Sequence, residues 1–253
     1  MKGYILLISI LFSIKLSSQH DQTALVVDYV FIPNLQTLDV SKNAGKMEGD
    51  LMSTAFQKLT HPENYPTAHL IVNGNHSYFK KRDKVESYDF SGRFAHIIAS
   101  SNHDYLHRNG NCWTIKAENG ANLFIQDPTD RFEWNLEPNG DKKEYEFGTF
   151  TVFQATGNYY HSGKALSEDS KKNISVVYTP EIPIPFGPVG IANLPGLCLE
   201  YELSGIGTWI VADIRSVPLE EIEVDWEVQG QKITRAEYVQ LLAERSAKRQ
   251  KSN

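Results

Sequence analysis

The sequence contains little cysteine, no surplus of positive charge and only one long apolar run. Of its 253 residues, two are cysteines, and 25 basic side chains stand against 31 acidic ones, for a formal net charge of −6. An acidic chain is a poor candidate for binding the phosphates of a nucleic acid. We therefore predict no nucleic-acid partner.

The one long apolar run lies at the start of the chain. Lys2 precedes the stretch from Tyr4 to Ile14, and two serines follow before a polar segment. A short apolar core between a basic residue and small residues is typical of a secretory signal peptide, and it is too short to span a bilayer. We predict a signal peptide at residues 1–18, no lipid-bearing cysteine after it, and a periplasmic or secreted mature chain without a transmembrane segment.

The two cysteines are Cys112 and Cys198, and an oxidising compartment leaves three roles open to them. They are buried apolar side chains, a disulfide or a pair of metal ligands, and the sequence does not choose between these roles. No basic residue flanks either cysteine closely in sequence, so neither is predicted to be a reactive thiol.

Motifs of common enzyme classes are missing. The sequence has no nucleophile elbow, phosphate-binding loop or dinucleotide fingerprint. The glycines at Gly187 and Gly190 do not form a phosphate loop, because no strand-to-helix transition follows them. We predict no cofactor and no catalytic residue, and we leave open whether the protein is an enzyme.

Short alternating runs of apolar and polar residues dominate the rest of the chain and predict β-strands. Asn-Gly pairs at Asn73, Asn109, Asn119 and Asn139 favour hairpins between them. Crossover helices are missing, which excludes a parallel α/β fold. The strands are expected at 23–32, 69–73, 76–82, 93–99, 112–117, 122–126, 133–136, 145–147, 149–156, 174–179, 197–203, 207–217 and 221–225.

Two helices are expected beside these strands. Met47 to Leu59 has apolar residues at helical spacing, and Thr234 with Glu237 forms a capping box before a basic C-terminal helix. We predict a mainly β fold: a curved antiparallel sheet, open barrel or half-barrel, with one internal and one C-terminal helix. Residues 19–230 would form a single antiparallel β domain, and 231–253 the C-terminal helix and basic tail.

The most informative segment runs from Tyr178 to Tyr201. It contains prolines at positions 180, 183, 185 and 188, so it is neither a helix nor a central strand, and a Pro195-Gly196 step predicts a turn into a strand. We call residues 180–196 the proline loop and predict that it is rigid and packed, because its large apolar residues favour burial. These residues, with the first of the next strand, are Ile182, Ile184, Phe186, Ile191, Leu194 and Leu197.

This segment resembles the signature of the GLPGLI family of exported bacterial proteins. Tyr178-Thr-Pro-Glu-Ile-Pro-Ile-Pro-Phe-Gly-Pro188 matches a Tyr-Thr-x-Glu-Ile-Pro-Ile-x-x-Gly-Pro stretch, and Asn193-Leu-Pro-Gly-Leu-Cys198 stands where the family has Gly-Leu-Pro-Gly-Leu-Ile. The resemblance covers residues 25–215 and is strongest from 134 to 201. It implies an exported envelope protein of a family without an assigned activity, in the company of outer-membrane TonB-dependent transporters.

A binding or carrier protein is the function that we predict first. A curved sheet leaves a concave face to be covered, and the proline loop is suited to cover one mouth of it, with a hydrophobic or peptide-like ligand beneath. The predicted ligand-binding residues are Glu181, Ile182, Pro183, Phe186, Pro188, Leu194 and Pro195.

Two alternatives stay open. One is an envelope hydrolase, metal-dependent or carboxylate-based, in which Glu181 meets His103 and His107, with Cys112 as a further metal ligand. We favour solvated histidines in turns and therefore predict no metal site. The other is a structural accessory to a TonB-dependent transporter, docked through an edge strand or the basic C-terminal tail.

Overall fold

Long hydrogen-bonded strands account for most of the chain. The computed structural model describes residues 23–35, 59–82, 103–118, 120–127, 132–160, 171–203 and 205–252. In chain order, the strands in these residues are β1 (Thr23–Pro33), β2 (Thr67–Asn73), β3 (His76–Lys81), β4 (Asp104–Arg108), β5 (Asn111–Glu118), β6 (Ala121–Asp127), β7 (Glu133–Tyr145), β8 (Gly148–Tyr160), β9 (Lys171–Thr179), β10 (Leu197–Leu203), β11 (Gly207–Pro218) and β12 (Gln231–Thr234).

The strands form one unclosed sheet in the order β12-β6-β5-β4-β3-β2-β1-β11-β10-β9-β8-β7. Neighbouring strands are antiparallel, apart from β12, which pairs parallel to β6. The predicted mainly β fold, an open antiparallel sheet, is therefore confirmed.

One α-helix lies within the described residues, α1 (Arg235–Ser252), directly after β12. Its capping box is present: the Thr234 backbone N–H donates to Glu237 Oε2 at 2.7 Å, and the Glu237 N–H donates to Thr234 Oγ1 at 3.2 Å. Tyr238 and Leu242 pack on Leu123 and Ile125 of β6. The C-terminal helix is confirmed, while the helix predicted for 47–59 lies outside the described residues except for its last one.

The structure differs from the predicted strands at several places: β4 and β12 were not predicted, and β7 extends to Tyr145, beyond the predicted end at 136. His103 and Asp104 were expected in a turn, but β4 begins at Asp104. Its hairpin with β5 closes through Asn109 and Gly110, whose positive φ values of 51° and 75° suit a two-residue turn. The strand predicted at 93–99 lies outside the described residues.

Two further differences are at 145–147 and 221–225. Residues 146 and 147 form the tight turn between β7 and β8, because Tyr145 pairs directly with Gly148. Residues 221–225 are not a strand. Glu221 is the last residue of a short 3-10 helix (Leu219–Glu221), and Ile222 and Val224 after it cover Ala24 and Val26 on one face of the sheet. Apolar and polar residues alternate in this segment because every second side chain packs onto the sheet, although the segment forms no ladder with a strand.

The main hydrophobic core lies on the opposite face of the sheet, beneath the proline loop. Strands contribute fully buried aromatic residues, and the loop adds Phe186, Val189, Ile191 and Leu194 to the same cluster. Burying a side chain of this size contributes about 1.5–3 kcal/mol. The loop is therefore part of the core.

Candidate functional site

Backbone hydrogen bonds hold the proline loop against the start of β10. The Leu197 N–H donates to Ile182 O at 3.0 Å, and the Cys198 N–H donates to Phe186 O at 3.2 Å. An isolated antiparallel bridge joins Phe186 and Ala192 across a 3-10 turn (Pro188–Gly190). These contacts hold the backbone of the loop against the sheet.

Val189 shows how firmly the loop is held. Its φ is 55°, a left-handed conformation that β-branched residues rarely adopt and that costs about 1–3 kcal/mol. The side chain is only 5 % exposed and belongs to the main core. Core packing therefore offsets the backbone strain at this position.

The seven predicted ligand-binding residues lie in different environments. Glu181, Pro183 and Pro195 are exposed, Ile182 is half-buried, and Phe186, Pro188 and Leu194 are buried. Pro188 and Leu194 face the protein interior. Among the seven, Phe186 is the residue that lines the cavity beside the loop.

That cavity lies between the proline loop and the β4–β5 hairpin and has a volume of about 210 Å³. Phe132, Pro185, Phe186 and Ala192 supply apolar walls, and polar groups from the hairpin and nearby turns supply the rest. The full lining is Asn75, His107, Gly110, Asn111, Cys112, Phe132, Pro185, Phe186, Gly190, Ala192 and Asn193. We call this space the Phe186 cavity.

His107 connects the hairpin to the loop. Its ring packs against that of Phe186 with centroids 5.2 Å apart and planes tilted by 33°. Its Nε2 lies 3.1 Å from Gly190 O. Because β4 is a strand, His103 and His107 do not form the helical pair considered for metal binding. His107 instead helps to shape the cavity.

Cys112 lies directly opposite His107 in the β4–β5 pairing. Its Sγ is 3.6 Å from His107 Nε2 and 4.0 Å from Asp127 Oδ2. The sequence neighbours of Cys112 gave no hint of this basic partner, which comes from the facing strand. The Asn109-Gly110 turn was the available signal, since a two-residue turn after Arg108 pairs His107 with Cys112.

The two cysteines are not bonded to one another. Both are free and buried. Cys198 is fully enclosed near the start of β10, and this burial raises the pKa of its thiol well above the usual range. The sequence left three roles open for the cysteines, and the disulfide is the one that the structure does not show.

A buried ion pair lies behind Cys112. Arg235, at the first position of α1, donates from Nε to Asp127 Oδ1 at 2.9 Å and from Nη2 to Thr114 Oγ1 at 2.9 Å. Thr114 Oγ1 in turn donates to Asp127 Oδ2 at 2.6 Å. These three side chains are almost inaccessible to solvent, so the ion pair joins α1 to β5 and β6 in the interior.

Glu181 is held on the surface by strand β8. Its Oε1 accepts a hydrogen bond from the Thr151 backbone N–H at 2.8 Å, and this bond lowers the pKa of the carboxyl group. Thr179 supports the same corner by donating from Oγ1 to Thr151 O at 2.9 Å. The carboxylate therefore has the backbone partner that an acidic residue in an apolar loop requires.

The other candidate carboxylates lie on β10. Glu200 accepts a hydrogen bond from Tyr145 at 2.7 Å and forms an ion pair with Lys143 at 2.5 Å. Burial, and then the bond to Glu200, raise the pKa of Tyr145 above its usual range. Glu202 is exposed. Glu200 thus serves to tie the β7–β8 hairpin to β10.

A larger and more polar depression, of about 690 Å³, lies over strands β7 to β10. None of the predicted ligand-binding residues contributes to it. Its lining is Glu133, Trp134, Asn135, Thr156, Gly157, Asn158, Asn173, Ile174, Ser175 and Glu202.

No three His, Cys, Asp or Glu side chains in the described part of the chain converge as a metal-binding group. No helix found there combines the length and the apolar character needed to cross a bilayer.

No family model and no curated protein matches the chain. Two solved structures of PNGF-II, in space groups C2 and P21, are similar to it with TM-scores of 0.49 and 0.48 at 12% sequence identity. The matches cover 87% of this chain but only 32% and 33% of those chains, so this chain spans about a third of their length.

Proposed function

We propose that the protein is a non-enzymatic binding or carrier protein of the cell envelope, for a hydrophobic or peptide-like ligand. The observation that carries the proposal is the Phe186 cavity, which opens where the proline loop meets the β4–β5 hairpin. Its combination of apolar walls with a few polar groups is typical of small-molecule sites.

The volume of the cavity limits the size of the group that it can enclose. Its 210 Å³ is below the roughly 300–1,000 Å³ of sites that enclose a drug-sized ligand. It suits one aromatic or branched aliphatic group. A peptide-like ligand would insert one apolar side chain between Phe132 and Phe186, while its remaining part stays outside, near Asn75 and Asn193.

The proline loop acts in this proposal as a fixed wall. Three observations favour a preformed site: the loop buries Phe186, Pro188 and Leu194, its backbone is hydrogen-bonded to β10, and His107 contacts Gly190 O. A preformed site avoids the entropy cost of ordering a loop when the ligand binds. The ligand-binding role predicted for Phe186 is retained, and Glu181, Pro188 and Leu194 are assigned to holding the loop in place.

The proposals that the protein is exported and that it has a transporter as a partner are based on the sequence alone. The signal-peptide pattern at 1–18 supports a periplasmic or secreted location, and the GLPGLI resemblance supports a TonB-dependent transporter as a partner. The hydrolase alternative needs Glu181 to act with His103 and His107. The Glu181 carboxylate contacts Thr151 and the His107 imidazole contacts Gly190, so these contacts do not favour that alternative.

Blocking the cavity tests the proposal. Asn75 is an exposed turn residue on the cavity lining, so Asn75→Trp should fill the entrance and leave the core intact. Asn139→Trp, on the exposed edge strand β7, is the matched control. Saturation-transfer NMR with N-acetyl amides of phenylalanine, tyrosine and leucine would detect weak binding of single side chains.

We expect saturable binding of at least one amide to the wild-type protein and to Asn139→Trp, and loss of that binding in Asn75→Trp. Glu181→Gln should bind as the wild-type protein does. Equal binding by the blocked variant, or no saturable binding of any amide, would contradict the proposal.

A further inference from the structure

We propose that the polar depression over strands β7 to β10 is a binding site for a neutral or positively charged saccharide. The depression and the Phe186 cavity have no lining residue in common. The proposal therefore adds a second ligand to the proposed function and does not depend on the first.

Strand register places the polar side chains of the depression in two rows on one face of the sheet. Residues that pair directly across neighbouring strands point to the same face, and so do residues two apart in one strand. The first row is Glu133, Asn158 and Asn173, and the second is Asn135, Thr156, Ser175 and Glu202. The backbone ladder therefore sets the spacing of these seven positions.

The opposite face of the sheet, beneath these rows, is packed. Ile174 belongs to the main core, and Trp134 packs against that core while its indole N–H donates to Ala192 O at 2.8 Å. Trp134 also stacks on Phe132, with ring centroids 5.5 Å apart. A Cβ atom placed on Gly157 would lie 2.7 Å from the Trp134 ring, so only glycine leaves room for the ring at this place. The core thus holds the floor of the depression, which favours a preformed site.

The polar side chains of the depression are available to a ligand. Within the described residues, none of the seven takes part in a side-chain hydrogen bond or ion pair with another residue. Three of them are asparagines, at positions 135, 158 and 173, and asparagine is depleted in strands because its amide competes with the backbone for hydrogen bonds. Strand propensity does not account for this group of asparagines, whereas ligand binding does.

The chemistry of the lining suits a ligand rich in hydroxyl groups. The asparagine amides and the hydroxyls of Thr156 and Ser175 both donate and accept hydrogen bonds, as sugar hydroxyls do. Glu133 and Glu202 add negatively charged acceptors, so they favour neutral or amino sugars over acidic sugars and phosphates. The volume of 690 Å³ lies within the roughly 300–1,000 Å³ of small-molecule sites.

A cation and a peptide fit the depression less well. Glu133 on β7 and Glu202 on β10 are three strand spacings apart, about 14 Å, so one cation cannot contact both carboxylates. A peptide would need apolar pockets for its side chains. The apolar lining residues Trp134 and Ile174 belong instead to the packed opposite face.

The experiment uses the full-length protein labelled with ¹⁵N. The probes are maltotriose, cellotriose and tri-N-acetylchitotriose as neutral sugars, triglucosamine as an amino sugar and trigalacturonate as the acidic comparison. We expect at least one neutral or amino sugar to shift the side-chain NH₂ signals of Asn135, Asn158 and Asn173 in a saturable way. The signals of Gln154, which lies on the same face of β8 outside the depression, should not shift.

Substitutions on β8 give the matched comparison. Asn158→Ala should weaken sugar binding about fivefold, the usual effect of losing a hydrogen bond, and Gln154→Ala should bind as the wild-type protein does. No saturable shift with any neutral or amino sugar, stronger binding of trigalacturonate, or equal binding by Asn158→Ala would overturn the inference.

The same spectra separate this site from other occupants and from the Phe186 cavity. Asparagine signals that move with protein concentration alone would identify a second copy of the chain as the occupant, and would also overturn the inference. Asn75→Trp, which blocks the Phe186 cavity, should bind sugar as the wild-type protein does. Failure here is therefore distinguishable from failure of the amide-binding assay.

Discussion

Gly196 packs directly against the backbone of Thr179. A Cβ atom placed on Gly196 would lie 2.0 Å from Thr179 O and 2.5 Å from its carbonyl carbon, so any other residue forces the two segments apart. This contact closes the proline loop at the point where Leu197 pairs with Thr179 at the start of the β9–β10 ladder. Packing against Thr179 therefore requires a glycine at position 196.

Gly196→Ala should destabilise the protein by about 3 kcal/mol or more, because overpacking against backbone cannot be relieved by a side-chain rotation. Gly120→Ala is a useful control. It also adds a methyl group, at a positive φ of 79° but with open space around it, and should cost about 1–2 kcal/mol. Urea denaturation of both variants measures the difference. Equal losses of unfolding free energy in the two variants would show that the contact between Gly196 and Thr179 can relax.

Arg235→Met should cost about 3–5 kcal/mol of unfolding free energy, because it leaves the Asp127 carboxylate buried without its cation. Arg245→Met removes the cation from the more exposed pair with Glu118 and should cost at most about 1 kcal/mol. Chemical denaturation monitored by tryptophan fluorescence compares the two. In an Asp127→Asn background, the cost of Arg235→Met should fall, and an unchanged cost would argue against the pair as its cause.

The carboxyl group of Glu181 gives a testable pH dependence. The Thr151 N–H bond lowers its pKa below the ordinary value of 4.5 in the folded state, so the ionised form stabilises the fold. This contribution is complete above pH 4.5 and is lost as the pH falls through the lowered folded-state pKa.

Glu181→Gln should therefore make the loss of stability below pH 4.5 less steep than in the wild-type protein. Thermal melting points between pH 6 and pH 3 measure the effect, at roughly half-unit steps around the reference pKa of a glutamate. Glu137→Gln, an exposed change of the same charge on β7, controls for net charge. Parallel curves for Glu181→Gln and the wild-type protein would contradict the expectation.

Phe186→Ala should cost about 3–5 kcal/mol, because the ring is buried in the main core and packs on His107. Ile182→Ala, at a half-buried position on the same loop, should cost clearly less. Denaturant midpoints of the two variants give the comparison. A small loss for Phe186→Ala would mean that the loop moves to fill the space, and would favour a movable cover over a fixed wall.

Much of the fold follows from local sequence patterns. Alternation identified the strands that build the centre of the sheet, and the pair Thr234 and Glu237 marked the start of α1 because a capping box is a contact between near neighbours. Proline spacing predicted that residues 180–196 form a loop, since proline lacks the N–H that a helix or ladder needs, and the large apolar residues predicted that this loop is packed.

The candidate site was only partly predictable. Phe186 was identified from its size and place in the proline loop, but the walls formed by Phe132 and Asn75 come from segments distant in sequence. Glu181 stood out as a carboxylate among apolar residues. Its partner, Thr151, lies 30 residues away along the chain, and only the folded structure shows that contact.

The sequence by itself therefore determined the elements whose causes are local: strand alternation, the Asn109-Gly110 turn, the helix cap and the stiffness of the proline loop. Tertiary structure decided which face of the sheet the loop covers, the parallel pairing of β12 with β6, and the meeting of His107 with Cys112 and of Arg235 with Asp127. These features depend on contacts between residues far apart in the chain. These contacts are stabilised by burial and by charge pairing between two segments, so neither segment predicts them by itself.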